Sequence, residues 1–563
     1  METIHLLYIF LIALFSSMIM VPFLMRWAFD TGAVDVPDQR KVHQKSIPRV
    51  GGVAICMGWL FSLLIYVDMS HEIRGILAGT LIVFFTGLID DLYGLSPKKK
   101  FLGQIAACLV TIFVGHLSIS SLGNIFGGEV VILPPWLGVP FTILAVVGII
   151  NAFNLMDGLD GLAGGISVIA LTALLILGYL SGDLIMMALC AALLGAILGF
   201  LKYNLFPARI FMGDTGSLVV GFVIAFLAVL LTQTPENRVA PIVPVLILGI
   251  PIVDTLRVMG RRIFQKKNPF SPDRTHLHHN FLDLGLKHRY TVILIYGLSI
   301  FWATFALLAR NWQDWHLLVS FALLMALFYQ SLLQLRRFRA HLPFLKKDSS
   351  APIRQSVTYR RLAQFVKATT PVSIFLTLAY LMLAALSCSN TDLLTLRTGT
   401  ALLFGCVTLI IFTKDICNHY VLAMAALALP LITFIVNDNN SREMISGLTL
   451  QQLSNMLLAC LSALALLRFA FRKPREQLLS SVDYLIVSLG AFITLGSSQI
   501  SIGEVVPATV AKGIILFLAL KVSSSGGPKP ARILVGGVLV ALACIIVKGY
   551  VFKGGFEFLV LSF

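Results

Sequence analysis

The chain has 563 residues, 58% hydrophobic and 12% charged, with a formal charge of +16. A composition this apolar excludes an ordinary soluble domain, and the alternation a membrane barrel would need is absent. The basic excess falls in alternate loops, the mark of membrane topology rather than of nucleic-acid binding.

Apolar stretches of about 17–25 residues, long enough to cross a bilayer as helices, recur along the chain. The expected fold class is all-α, a polytopic membrane helix bundle. The first span covers residues 4–24. It is too long and too uncharged at its start for a cleaved signal, so it is expected to persist as a helix. A polar loop with Arg40, Lys41, Lys45 and Arg49 leads to spans over 50–66 and 74–89. Asp90, Asp91 and the run Lys98, Lys99, Lys100 follow, then a fourth span over 101–115. Residues 116–138 lack Lys and Arg, and their Gly-Gly turn between short apolar runs predicts a small hairpin. The fifth span ends in 151–157, the sixth starts near Leu162 and the seventh ends near Lys202. The eighth follows the loop 202–214 and ends near Thr232, and the ninth ends at 254–257. A loop over 257–289 holds eight Lys/Arg and four His before the tenth and eleventh spans reach Gln334.

Placing the odd-numbered loops in the cytoplasm gathers nearly all Lys and Arg there and leaves the amino terminus outside. Residues 1–335 then form one membrane domain, and 336–370, with nine Lys/Arg in 336–367, a basic cytoplasmic linker. Residues 371–563 form a second membrane domain whose seven spans begin near Val372, Thr398, His419, Leu450, Ser480, Val505 and Ala531, returning the carboxyl terminus outside. This half holds no carboxylate cluster within its spans. The eight cysteines form no CxxC pair, so neither a disulfide framework nor a zinc knuckle is expected.

Residues 151–165 carry Asn151, Asn154, Asp157 and Asp160 among four glycines, between two apolar segments. Polar groups so placed are costly unless used. Carboxylate and carboxamide oxygens suit Mg²⁺, which binds few protein ligands and completes its shell with water and phosphate. An EF-hand counted from Asp157 would need Glu at its twelfth position, where the chain has Val168. A polar interhelical turn remains the plainer alternative. Asp90 and Asp91 place negative charge where the helix dipole opposes it, either for a phosphate site or as a loop start neutralised by Lys98–Lys100. Asp214, between Gly213 and Gly216, reads as an N-cap or, given room for close backbone approach, as a metal ligand. Arg274, His276, His278 and His279 sit among basic residues that repel cations, which favours anion binding over zinc. Asp254 and Arg257, three apart on one helix, read as a structural pair. Together these features suit phosphoryl transfer from a soluble phosphorylated donor to a lipid-borne acceptor.

Five motifs in order resemble the polyprenyl-phosphate N-acetylhexosamine-1-phosphate transferases over residues 1–335. They are Asp35-x-Pro37…Arg40-Lys41-x-His43 with Pro48-Arg49-Val50-Gly51-Gly52; Asp90-Asp91-x3-Leu95-x4-Lys100; Asn151-x2-Asn154-x2-Asp157-Gly158-x-Asp160-Gly161; Gly213-Asp214-x-Gly216; and His276-x-His278-His279. The resemblance implies transfer of a sugar-1-phosphate from a UDP-sugar nucleotide to a polyprenyl phosphate lipid, with UMP released. It implies Mg²⁺, with Mn²⁺ as substitute, on Asn154 and Asp214. Asp90, Asp91 and Lys100 would act on the acceptor phosphate. Lys41, His43, Arg49, Asn151, Asp157, Asp160, Arg274, His276, His278 and His279 would bind substrate. The implied setting is the bacterial inner membrane, with the active site cytoplasmic and a homodimer among the expected partners. The His-x-His-His form is similar to the branch using UDP-N-acetylhexosamines, UDP-GlcNAc first, in a cell-surface glycan pathway. The rivals are the muramoyl-pentapeptide transferase and, from another class, a transporter or a docking scaffold.

Overall fold

A computed structural model describes residues 3–35, 46–234, 239–266, 275–337, 369–387, 444–445, 448–470, 505–524 and 528–552, with isolated residues between 399 and 432. Two compact units divide the chain, Met1–Lys346 and Lys347–Phe563.

In the first unit the helices are α1 (Thr3–Thr31), α2 (Gly51–Tyr66), α3 (His71–Tyr93), α4 (Pro97–Gly115), α5 (Pro135–Met156), α6 (Leu162–Ser181), α7 (Leu184–Asn204), α8 (Gly213–Gln233), α9 (Ile242–Ile247), α10 (Gly249–Phe264), α11 (Leu277–Asp283), α12 (His288–Leu308) and α13 (Asp314–Arg337). Two-residue strands β1 (Val34–Asp35) and β2 (Ile47–Pro48) pair antiparallel. Among the described residues nine helices are long and apolar enough to cross a membrane, eight of them in this unit. The protein is a multi-pass helical membrane protein. The shorter α2, the lysine-bearing α4 and the broken pair α9 and α10 account for the other apolar segments of the first 335 residues.

Bilayer lipid supplies no hydrophobic drive between helices, so close packing of small residues holds them. Gly195 and Gly199 of α7 lie against the Phe10 and Leu14 carbonyls of α1. Gly75 of α3 meets Gly115 of α4, and Thr111 Oγ1 donates to the Gly75 carbonyl at 2.9 Å. α8 is the innermost helix, buried at every residue from Thr215 to Leu227. It packs against α2, α3 and α5, and those contacts bring the starts and ends of four helices to one place.

Asp90 and Asp91 stand in the last turn of their helix, as expected of a pair that ends one, although α3 runs past residue 89 to Tyr93. The ninth span breaks at Leu248, where Gly249 and Pro251 interrupt the ladder; its second half continues to Phe264, so the expected loop is helical at its start and again at α11. The small hairpin expected in 116–138 is present: Leu122 N donates to the Val131 carbonyl at 2.9 Å, Val131 N to the Gly123 carbonyl at 3.0 Å and Leu133 N to the Ser120 carbonyl at 2.7 Å, with Gln233 Oε1 accepting from Ser120 N at 2.9 Å and Ser121 N at 3.0 Å.

In the second unit α14 (Thr370–Ser387), α15 (Leu450–Ala470), α16 (Val505–Ser524) and α17 (Pro528–Phe552) are described, with the two-stranded ribbon of β3 (Met444–Ile445) and β4 (Leu448–Thr449). α14 touches each of the other three helices. The spans expected near Thr398, His419 and Ser480 begin outside the described residues.

Candidate active site

The end of α3, the start of α4, the end of α5 and the start of α8 meet. Lys100, three residues into α4, places Nζ 2.7 Å from Asp90 Oδ2 and 2.8 Å from Asp214 Oδ2. Asp90 Oδ1 accepts from Leu95 N at 2.6 Å, which fixes the turn into α4. Asn154 Nδ2 donates to Asp214 Oδ1 and, at 3.0 Å, to Ser217 Oγ. One ammonium between two carboxylates, with a carboxamide beside them, is a polar cluster with one negative charge in excess at the end of a membrane bundle.

Asp91 has a different task from its neighbour. Its side chain is 4% exposed. Oδ1 accepts from Asp214 N at 2.9 Å, and Oδ2 from Thr215 N at 2.9 Å and Thr215 Oγ1 at 2.6 Å. A helix start leaves its first N–H groups without partners and favours a negative charge there. Asp91 therefore caps α8 from α3. Asp214 is not the cap but stands in the first turn, and the N-cap residue Met212 makes no side-chain bond. The cap uses both oxygens of Asp91, whereas Asp90 turns to Leu95 N and Lys100.

Arg49 reaches the Asp91 carbonyl at 3.3 Å and lies 3.9 Å from Asp35. The backbone around it is stitched to the segment before α8: Phe211 N donates to the Pro48 carbonyl, and Gly51 N and Gly52 N donate to the Phe211 and Met212 carbonyls at 3.0 and 2.8 Å. Gly52 lies against Gly216 with no room for a Cβ, which explains Pro48-Arg49-Val50-Gly51-Gly52 as a brace for the Asp214 turn.

The 151–165 motif divides. Asn151 turns to Gln104 Oε1 at 2.9 Å and to the Val147 carbonyl. Asp160 Oδ2 accepts from Ala208 N at 3.0 Å, and Asn204 Oδ1 accepts from Gly161 N, so this end of the motif orders the loop before α8. Gly161 takes φ 77° to start α6, a conformation natural to glycine. Asp157 stays inside the cluster. Burial, then the charges of Asp214, Asp91 and Asp160, hold its carboxyl well above the ordinary carboxylate range.

The histidine motif meets this loop. His278, 3% exposed, stands against Gly158 so closely that a Cβ there would lie 2.7 Å from Nε2. Burial, then neighbouring His279, pushes the His278 imidazole down to about 3, so it is neutral at physiological pH. His276 Nδ1 lies 2.9 Å from Asp254 Oδ2. The structure thus joins Asp90, Asp91, Lys100, Asn154 and Asp214 directly, and Asp157 and His278 through Gly158. Lys41, His43 and Arg274 lie outside the described residues.

Sequence reasoning passed over Ser217, one turn beyond Asp214, and Thr215. It took Asp254 as half of a helix pair, although a carboxylate inside an apolar segment was itself a signal.

The donor set bears on a metal. Among the described residues no three His, Cys, Asp or Glu side chains converge at metal-ligand spacing. Asp214 and Asn154 do offer hard oxygens side by side, since a carboxamide turned about its axis presents its oxygen. Two such ligands fit Mg²⁺ only with phosphate and water completing the shell, and they do not suit zinc, which takes nitrogen and sulfur.

A polytopic bundle that gathers carboxylates, a lysine and hard-oxygen donors at one end of its helices is a membrane-embedded group-transfer enzyme in outline. Residues 73–232, which span α3 to α8, match Glycosyl transferase family 4. The chain is 35% identical over 309 residues to a probable undecaprenyl-phosphate N-acetylglucosaminyl 1-phosphate transferase of Bacillus subtilis, covering 54% of this chain and 85% of that protein. It is 34% identical over 321 residues to the undecaprenyl-phosphate alpha-N-acetylglucosaminyl 1-phosphate transferase of Escherichia coli, covering 55% and 86%. The chain belongs to this transferase family, glycosyl transferase family 4.

Proposed function

We propose that the first unit transfers N-acetylglucosamine-1-phosphate, or the 1-phosphate of a closely related N-acetylhexosamine, from its UDP derivative to undecaprenyl phosphate, at the cytoplasmic face of the inner membrane. An oxygen of the lipid phosphate attacks the β-phosphorus of the donor. The bond from that phosphorus to the bridging oxygen breaks, the electron pair leaves with UMP, and the lipid carries a diphospho-sugar. The observation that carries this reading is the joining of Asp90, Lys100, Asn154 and Asp214 from four helices within hydrogen-bond distance.

Lys100 holds its ammonium where two anionic phosphates must approach, which lowers their mutual repulsion. Asp90, freed by Lys100 from full repulsion of the lipid phosphate, orients the attacking oxygen. No strong base is required of it, because a phosphate monoester has a second pKa of about 6 and is ionised at neutral pH. Asp91 keeps the first turn of α8 in place, and through it Asp214. Asn154 and Asp214 would hold Mg²⁺, which when bound neutralises donor diphosphate charge. His278 lies against Gly158 of the Asp157 loop with His276 stacked on it, suited to the donor's sugar and diphosphate.

Purified full-length protein with undecaprenyl phosphate should release UMP from UDP-GlcNAc. Turnover with UDP-N-acetylmuramoyl-pentapeptide and none with UDP-GlcNAc would move the assignment to the peptidoglycan branch. Substrate flux without UMP would point to a transporter.

A further inference from the structure

Asp254, on α10, is 1% exposed. A carboxylate that deep persists when its oxygens are all engaged. Oδ1 accepts from Leu277 N at 3.0 Å and from Arg257 at 3.1 Å, and Oδ2 faces His276 Nδ1 at 2.9 Å. Arg257 also donates to the Thr275 carbonyl and lies over the Tyr329 ring of α13, 4.8 Å from its centre. The carboxylate therefore has no freedom to turn. It can only accept, so Nδ1 of His276 carries the proton. The other ring nitrogen, Nε2, is buried and has no hydrogen-bond partner among the described residues. His276 stacks on His278 with ring centres 6.0 Å apart, and His278 stands against Gly158. The His276 ring is thus linked to the Asp157 loop through His278.

We propose that Asp254 is a positioning residue for the transfer reaction: it holds His276 with Nδ1 protonated and so keeps Nε2 as the ring atom presented to the sugar nucleotide. This rests on the transferase reading above. Asp254→Asn isolates the effect. Leu277 N–H and Arg257 both need an acceptor, so they keep the Asn oxygen, and the Asn NH₂ turns to His276. A donor there forces Nδ1 to accept and moves the ring proton to Nε2, the wrong-tautomer effect known when a buried carboxylate behind a histidine is amidated.

The full chain in detergent, labelled with ¹⁵N-histidine, reads the tautomer directly, with the His276 signals assigned by their loss in His276→Gln. The expected result is a protonated Nδ1 in the wild type and a bare Nδ1 in Asp254→Asn. A bare Nδ1 in the wild type, or the same tautomer in both, overturns the proposal whether or not the protein releases UMP. If Asp254→Asn does not fold, the wild-type tautomer alone decides. In the UMP assay, kcat of Asp254→Asn should fall at least about tenfold, as for groups that orient a reacting side chain, with the donor KM little changed. The double variant Asp254→Asn/His276→Gln should be no slower than His276→Gln. Additive losses would place the action of Asp254 elsewhere and overturn the proposal. A wild type that releases no UMP strikes the function reading and leaves the tautomer result standing.

Discussion

Asp90 and Asp91 are adjacent in sequence, yet Asp90 pairs with Lys100 while Asp91 caps α8, and Asp91→Asn separates the two. The carboxylate accepts three hydrogen bonds, at 2.9, 2.9 and 2.6 Å, from the first turn of α8. An Asn of the same shape keeps one acceptor oxygen and turns an NH₂ toward the remaining donors. Losing a charge-assisted bond costs about 1.5–3 kcal/mol, and losing the charge at the helix start a further ~0.3–1 kcal/mol. The expected destabilisation is therefore about 2–4 kcal/mol, read as a drop of several degrees in the thermal midpoint of the full chain in detergent. Turnover should fall with it, because Asp214 rides on the uncapped turn. Asp90→Asn should behave oppositely. Its oxygen keeps Leu95 N, and Lys100 stays paired with Asp214, so the midpoint stays near wild type while UMP release falls at least about a hundredfold, as when a transition-state partner is removed. An Asp91→Asn variant with the wild-type midpoint would refute the capping role.

Lys100→Met leaves Asp90 and Asp214 facing each other without a cation; breaking one partner from a partly buried pair should cost about 3–5 kcal/mol and abolish turnover, checked by thermal scans beside the UMP assay. His278 is depressed to about 3 in the fold against an unfolded value near 6.5. The unfolded chain thus binds the extra proton first, and the contribution of His278 to stability, full above about pH 6.5, is lost progressively toward pH 3. His278→Gln should flatten that part of the midpoint-against-pH curve. Asp157 has the opposite sign. Its raised carboxyl favours the fold below the unfolded pKa, and that advantage is lost as pH rises through the folded value. Asp157→Asn should accordingly gain stability at pH 8 relative to pH 5. Gly158→Ala drives a methyl into the His278 ring, and should lower turnover while leaving the helix content by circular dichroism unchanged.

The helices were legible because apolar length is a strong signal in a chain that must satisfy every backbone group within the bilayer. The start of α6 at Leu162 and the polar residues around it could be read directly, since glycine and carboxylate clusters stand out against hydrocarbon. The partner of each polar group could not. Asp91 caps a helix 122 residues further on, Asp91 to Gly213, and no local pattern encodes a cap supplied from another helix. Asp214 was open between N-cap and ligand until Asp91 was seen to take the cap. Asp254 looked complete with Arg257 one turn away, because an i,i+3 neighbour satisfies the eye, while a 1% exposed carboxylate needed the second partner that α11 supplies. The break between α9 and α10 was written in Gly249 and Pro251 but was hidden by the apolar run on both sides.

The most direct measurement is the Mg²⁺ dependence of UMP release by the wild type, Asp214→Asn and Asn154→Ala, with undecaprenyl phosphate and UDP-GlcNAc. Saturable activation of the wild type by Mg²⁺, removed by chelation and lost in both variants, is the result expected. Normal Mg²⁺-dependent turnover in either variant would contradict a metal held between α5 and α8.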